Sequence, residues 1–237
     1  MTIYINPPFG NYIKRKDCIS IKGTFTWDRR PGLIMQTMKT LRKIPGGWVN
    51  SIGFRNKGMR NIKECDKKSI YSIAALDGNW LPFYENIPRW SRIEINLGCP
   101  NVSNYTMTYP TLKKFCNKFP ILSVKVNPYI EADEIVKLYE SGVKTFHLSN
   151  TIPSERGGIS GDQLREQNLK QVEMFSNLNL IDTGLIVGGG IYKPDHVRQY
   201  RDAGALNDFS LSTIWFTPWL VPAVIKEIKK GWVNEND

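Results

Sequence analysis

The chain is poor in the residues that build metal centres and disulfide scaffolds. It has two histidines, His147 and His196, and four cysteines, Cys18, Cys65, Cys99 and Cys116, with no CxxC pair among them. A structural zinc site gathers closely spaced cysteine and histidine ligands, so no metal is expected. No apolar run approaches the roughly 20 residues of a membrane-crossing helix. The opening stretch, MTIYINPPFG, lacks the basic and long apolar segments of a secretory signal. These absences lead to the expectation of a cytoplasmic chain with reduced thiols and no membrane partner. Internal repeats, low-complexity tracts and linker-like segments are missing too. One domain spanning 1–237 is therefore expected.

Acidic residues are outnumbered by basic ones, giving a net charge of +10. The basic residues are scattered in short groups: Lys14-Arg15-Lys16, Lys67-Lys68, Lys113-Lys114 and Lys229-Lys230. That spacing reads as a solvated basic surface rather than a stripe for nucleic acid.

Short β-rich apolar runs alternate with helix-like segments. The expected strands are Ile3–Ile5, Cys18–Thr24, Ser69–Ala74, Arg92–Leu97, Ile121–Val126, Thr145–Ser149, Gly184–Val187 and Asn207–Leu211. Helical spacing marks Glu131–Ser141, Gly161–Asn177, Asp195–Asp202 behind Pro194, and Pro218–Lys230. Strands separated by helical crossovers predict a parallel sheet, and this number of units predicts an α/β fold of the (β/α)₈ TIM-barrel type. The stretch between Ile5 and Cys18 is too short for a crossover helix, so a shortened barrel lacking its first helix is expected.

Barrel chemistry sits at the carboxyl ends of strands. Those ends collect Lys22, Asn96, Cys99, Asn101, Lys125, Asn127, Asn150, Gly188-Gly189-Gly190 and Ser212-Thr213, and the segment after the second strand adds Asn50. Each has a plain structural reading: asparagines as turn residues, the glycines as a tight turn, each lysine on a solvent face. A lysine inside an apolar strand end, however, requires an anionic or electron-rich partner. Glycines after strand seven beside hydroxyls after strand eight occupy the usual barrel phosphate position.

Several motifs in order carry a family resemblance: Asn6-Pro7-Pro8-Phe9, Lys22-Gly23-Thr24-Phe25-Thr26, Asn50-Ser51-Ile52-Gly53-Phe54-Arg55-Asn56, EINLGCPN from Glu94, Val124-Lys125-Val126-Asn127-Pro128, Ser149-Asn150-Thr151, Gly157-Gly158-Ile159-Ser160-Gly161 and Gly188-Gly189-Gly190-Ile191. Together they resemble the dihydroorotate dehydrogenases, FMN-dependent barrels of de novo pyrimidine biosynthesis. The resemblance implies an oxidoreductase that converts dihydroorotate to orotate. Cys99 matches the base that takes a proton while hydride passes to FMN. A cysteine there is similar to the soluble class 1 enzymes, which implies a homodimer. Asn50, Asn96, Asn101 and Asn150, with Thr151 beside the last, match the residues that hold the pyrimidine. Ile52, Gly53 and Phe54 match the backbone that receives its carboxylate. Lys22 matches the lysine reaching flavin and substrate. Asn96, Lys125, Gly158, Gly189, Gly190, Ser212 and Thr213 match the surroundings of FMN.

The chain departs from that pattern at Gly98, where the family has serine, at Thr151, and at Ser212, where glycine is common. The segment Val102–Tyr109 is short for an active-site lid. Two rival readings share part of the pattern. One is a tRNA-dihydrouridine-synthase-like FMN enzyme acting on RNA, opposed by the absence of a separate RNA-binding region. The other is a flavin- or pyrimidine-binding barrel without turnover, opposed by the joint presence of Lys22, Cys99 and the pocket asparagines.

Overall fold

The computed structural model describes residues 1–99, 107–205 and 208–231. The strands are β1 (Thr2–Ile5), β2 (Ile19–Phe25), β3 (Arg42–Ile44), β4 (Gly47–Asn50), β5 (Ile70–Ile73), β6 (Arg92–Asn96), β7 (Leu122–Val126), β8 (Thr145–Leu148), β9 (Ile152–Ser154), β10 (Gly157–Gly161), β11 (Gly184–Gly188) and β12 (Asp208–Leu211). The helices are α1 (Leu33–Thr40), α2 (Leu81–Asn86), α3 (Tyr109–Lys118), α4 (Ala132–Glu140), α5 (Asp162–Asn177), α6 (Pro194–Asp202) and α7 (Val221–Lys229).

Eight strands, β1, β2, β5, β6, β7, β8, β11 and β12, close a parallel barrel in that order. Each expected strand has its counterpart, although Asn207, where the last was read to begin, lies outside the described residues. Between β1 and β2 the chain makes only a 3-10 turn at Phe9–Asn11, so the first crossover helix is indeed missing. The last helix starts later than its periodicity suggests: Pro218–Leu220 forms a separate 3-10 turn before α7.

Alternation along the strands sorts side chains between two sides of the barrel wall. In β6, Ile93 and Ile95 join the outer core with Leu112 and Phe115 of α3. Glu94 and Asn96 instead make hydrogen bonds to residues of other barrel strands, His147 and Thr24. A small apolar cluster of Tyr4, Ile21, Ile70 and Ile186 stands apart from the main core. The main core is rich in aromatics. Phe115 is fully buried and meets the rings of Trp80, Tyr84 and Phe119. Phe115→Ala is expected to destabilise the fold by about 3–5 kcal/mol through lost burial and the cavity left behind. Chemical denaturation midpoints measure it, and a change under 1 kcal/mol would contradict this packing.

Local chemistry sets several helix starts. Thr108 caps α3 by accepting from the Thr111 amide, and Pro110 sits in its first turn. Asp133 and Glu134 occupy the positive N-terminal end of α4. From α5, Asn168 donates to the carbonyls of Leu148 and Gly188, and from α6 the Tyr200 hydroxyl donates to those of Gly188 and Gly189. These bonds fix the carboxyl ends of β8 and β11.

A second sheet was not foreseen in the strand pattern. It is antiparallel, in the order β3, β4, β10, β9, with Asn50 opposite Gly158. It brings the segment after β2 alongside the segment after β8.

Two ion-paired aspartates are expected to make the fold acid-sensitive. Arg15 and Lys229 hold the Asp17 carboxyl well below its usual range. Burial opposes the same change at Asp66, but Lys22 and the Ser69 amide outweigh it and also hold that carboxyl low. A carboxylate depressed in the folded state adds stability above its unfolded pKa and loses it as pH falls toward the folded one. Thermal melts are therefore expected to drop progressively below about pH 4. A melting temperature flat down to pH 2 would contradict these pairings.

Candidate active site

The carboxyl ends of the barrel strands open into a cleft of about 350 Å³, the size of a small-molecule site. Asn6 beyond β1, Thr24 of β2, Asn96 of β6, Lys125 of β7 and Ser149-Asn150-Thr151 beyond β8 all reach its wall, as do Ser212 and Thr213 beyond β12. Cys99 follows β6 by a few residues and is half-buried. The second sheet contributes Trp48 and Asn50, and the turn after it contributes Ile52, Gly53 and Phe54. In that turn Gly53 and Phe54 both hold positive φ, 64° and 54°. This conformation is uncommon for a residue like Phe54 and is typical of binding sites.

Eleven residues expected from the sequence thus meet in one cleft: Asn50, Ile52, Gly53, Phe54, Asn96, Cys99, Lys125, Asn150, Thr151, Ser212 and Thr213. Asn101 lies outside the described residues, as does most of the segment read as a short lid. Lys22, Gly158, Gly189 and Gly190 are not among the wall residues. The pairing of β2 with β5 is irregular between Lys22 and Phe25, and Lys22 Nζ turns to Asp66 Oδ2 at 2.5 Å, near the Tyr71 ring. Gly158 is spent on the ladder opposite Asn50. At Gly190 (φ 65°) a Cβ would stand 2.3 Å from the Gly161 carbonyl oxygen, so this glycine serves the packing of β11 against the start of α5. Asn6, Thr24 and Ser149 belong to quoted motifs but were not read as site residues. The rule of strand carboxyl ends applies to them equally.

Gly98 has a clear reason. A Cβ there would stand 2.4 Å from the Asn127 amide nitrogen, so the chain after β6 can approach the chain after β7 only with glycine. Asn96 is a rigid hub: it donates to Thr24 Oγ1 at 3.0 Å and accepts from Asn150 Nδ2 at 3.1 Å. Asn150 also donates to the Val126 carbonyl at 3.1 Å, which leaves its own Oδ1 as an acceptor at the cleft.

Beneath this floor lies a polar layer that the sequence reading did not include. Glu94 Oε2 and His147 Nδ1 stand 2.5 Å apart, with both side chains fully buried. His147 Nε2 meets Ser210 Oγ at 2.8 Å, and Asn6 Nδ2 donates to both Ser210 and Ser149. Burial opposes ionisation of Glu94, but His147 and Lys125 outweigh it and hold the carboxyl below its usual range. Burial lowers the pKa of His147 and of Lys125, against the attraction of Glu94 and, at Lys125, of Cys99. The signal was available: Glu94 lies two residues before Asn96, hence on the same strand face, between two core isoleucines. Among the described residues no three metal-binding side chains cluster, and no helix is long and apolar enough to cross a membrane.

Fold and cleft define a (β/α)₈-barrel protein with a cleft of small-molecule size at the carboxyl ends of its strands. No family model matches the chain. It is 24% identical over 224 residues to the catalytic subunit of dihydroorotate dehydrogenase B (NAD(+)) of Halalkalibacterium halodurans, covering 78% of this chain and 72% of that one. To the same subunit of Brachyspira hyodysenteriae it is 25% identical over 270 residues, covering 97% and 86%. Among solved structures, DHODH of Eimeria tenella in complex with ferulenol superposes with a TM-score of 0.68 at 16% identity, covering 96% of this chain and 80% of that one. Its ligand-free form gives 0.64 at 18%. The resemblance to the dihydroorotate dehydrogenases read from the motifs therefore holds in sequence and in fold.

Proposed function

We propose that the chain is an FMN-dependent, class 1-like dihydroorotate dehydrogenase that oxidises dihydroorotate to orotate. The observation that carries this reading is the meeting of Cys99, Asn96, Asn150 and Lys125 in one cleft with Asn50 and the Ile52-Gly53-Phe54 turn. Similarity to catalytic subunits that bear this name supports the substrate class.

The wall residues fit the cofactor. Lys125 is a buried lysine on the cleft wall, and the Ser212 and Thr213 hydroxyls follow the last barrel strand, where such barrels receive phosphate. When bound, FMN supplies the acceptor for the hydride that leaves substrate C6. Asn96 and Asn150 hold the ring: an uncharged amide offers both donor and acceptor, as an imide edge requires. The Ile52-Gly53-Phe54 backbone, with Arg55 beside it on the wall, receives the carboxylate. Cys99 Sγ takes the C5 proton. Loss of that proton and of the C6 hydride leaves the C5–C6 double bond of orotate. Lys125 places its charge where negative charge grows. With Lys22 turned to Asp66, the proposal gives this role to Lys125 alone.

The test is orotate formation by purified protein with an artificial electron acceptor, together with identification of the flavin released on denaturation. Orotate produced by a protein that releases FMN supports the reading. FMN release without orotate, or reduction of uridine in tRNA instead, overturns it.

A further inference from the structure

The lysine in the cleft is backed by a charge arrangement that the proposed chemistry does not use. We propose that Glu94 and His147 are positioning residues for Lys125: the carboxylate, oriented by the imidazole, is the fixed counter-charge that keeps Lys125 a cation facing the cleft. Its consequence for catalysis rests on the flavin reading; the charge relation itself does not.

Strand register carries the geometry. Lys125 of β7 lies opposite His147 of β8 and opposite Asn96 of β6, with Glu94 two residues before Asn96 on the same face. Glu94 and His147 are fully buried, and Lys125 is 6% exposed. An ammonium so placed sheds its proton unless a negative charge stands near, because burial penalises the charged form. The groups acting on Lys125 are Glu94 from β6 and Cys99 from the segment after it. Glu94 in turn faces His147, Lys125 and the Ser72 hydroxyl, and His147 faces Glu94 and Lys125. Glu94 is thus the carboxylate of the cluster.

Glu94 needs a donor to stay ionised away from water. His147 Nδ1 supplies it at 2.5 Å, and its other nitrogen is tied to Ser210 Oγ at 2.8 Å. Ser210 is held by Asn6, itself on the cleft wall. The ring is therefore held from both sides, by Glu94 at Nδ1 and by Ser210 at Nε2. Glu94 is also met by the Ser72 hydroxyl of β5, opposite it in the ladder. Replacing a buried ionic group by apolar residues of equal size is often neutral or stabilising. The layer is thus poorly explained as a device for stability alone, whereas a counter-charge for Lys125 requires it.

The test is a titration of the full chain labelled with ¹³C at the lysine ε-carbon. Lys125 is assigned by the signal lost in Lys125→Arg, and flavin content is recorded in the same samples. Glu94→Gln is expected to lower the Lys125 midpoint by a unit or more, a tenfold rise in the neutral amine on the flank of the titration. His147→Phe removes the donor, lets Glu94 protonate and lowers the midpoint likewise. His147→Gln keeps a donor and restores it. A Lys125 midpoint unmoved in both Glu94→Gln and His147→Phe overturns the proposal. So does a His147→Gln variant that behaves as His147→Phe does. If Glu94→Gln does not fold, the two His147 variants decide alone. Absence of flavin from the parent protein would overturn the proposed function while leaving this charge relation to stand or fall on the titration.

Discussion

Replacing Cys99 by alanine is expected to leave the barrel folded and to slow bleaching of bound flavin by dihydroorotate by about 10²–10⁴-fold, the usual worth of a positioned base. The thiol is half-buried, so its removal opens little core. The asparagine hub on the cleft wall joins Asn96 directly to Thr24 and Asn150. Substrate affinity should therefore change far less than the rate. Serine at the same position should restore part of the rate, with the pH profile moved to higher pH, because a hydroxyl is the weaker acid. Rapid-mixing measurement of flavin reduction separates these effects. An alanine variant within fivefold of the parent would remove Cys99 from the base role.

Lys125→Met should have the next largest effect, a loss of about 10²–10³-fold in flavin reduction, comparable with removal of one preorganised electrostatic group. It should also lower the reduction potential of the bound flavin, since no cation would face the electron-rich ring. A stability loss should accompany it, because the buried carboxylate of Glu94 loses the nearby positive charge of Lys125. Double substitution of Lys125→Met with Glu94→Gln should recover stability without recovering the rate. An unchanged potential in Lys125→Met would show that the charge does not act on the flavin.

The barrel strands were legible because parallel strands buried on both faces read as continuous β-rich apolar runs. The site was legible for the same reason. Once the strands are drawn, their carboxyl ends bring Asn96, Lys125, Asn150 and Ser212 to one rim, although these residues are far apart in the chain. The second sheet escaped because its strands are three to five residues long and partly glycine, as in GWVN and GGISG, and pair across a distant segment. Lys22 lies on β2 as expected, where its ammonium pairs with Asp66. The physical expectation about the two lysines holds. Each requires an anionic or electron-rich partner, and Lys22 pairs with Asp66 while Lys125 lies within the attraction of Glu94. Glu94 itself stood in EINLGCPN, hidden beside the more conspicuous thiol.

The central claim is that this cleft joins Cys99 to a dihydroorotate ring lying on FMN. Anaerobic titration of the purified protein with dihydroorotate tests it most directly, following flavin absorbance and orotate together. Bleaching of the bound flavin is expected, with one orotate formed for each flavin reduced. A flavin that stays oxidised under excess dihydroorotate, or a purified chain that carries no flavin, would contradict it.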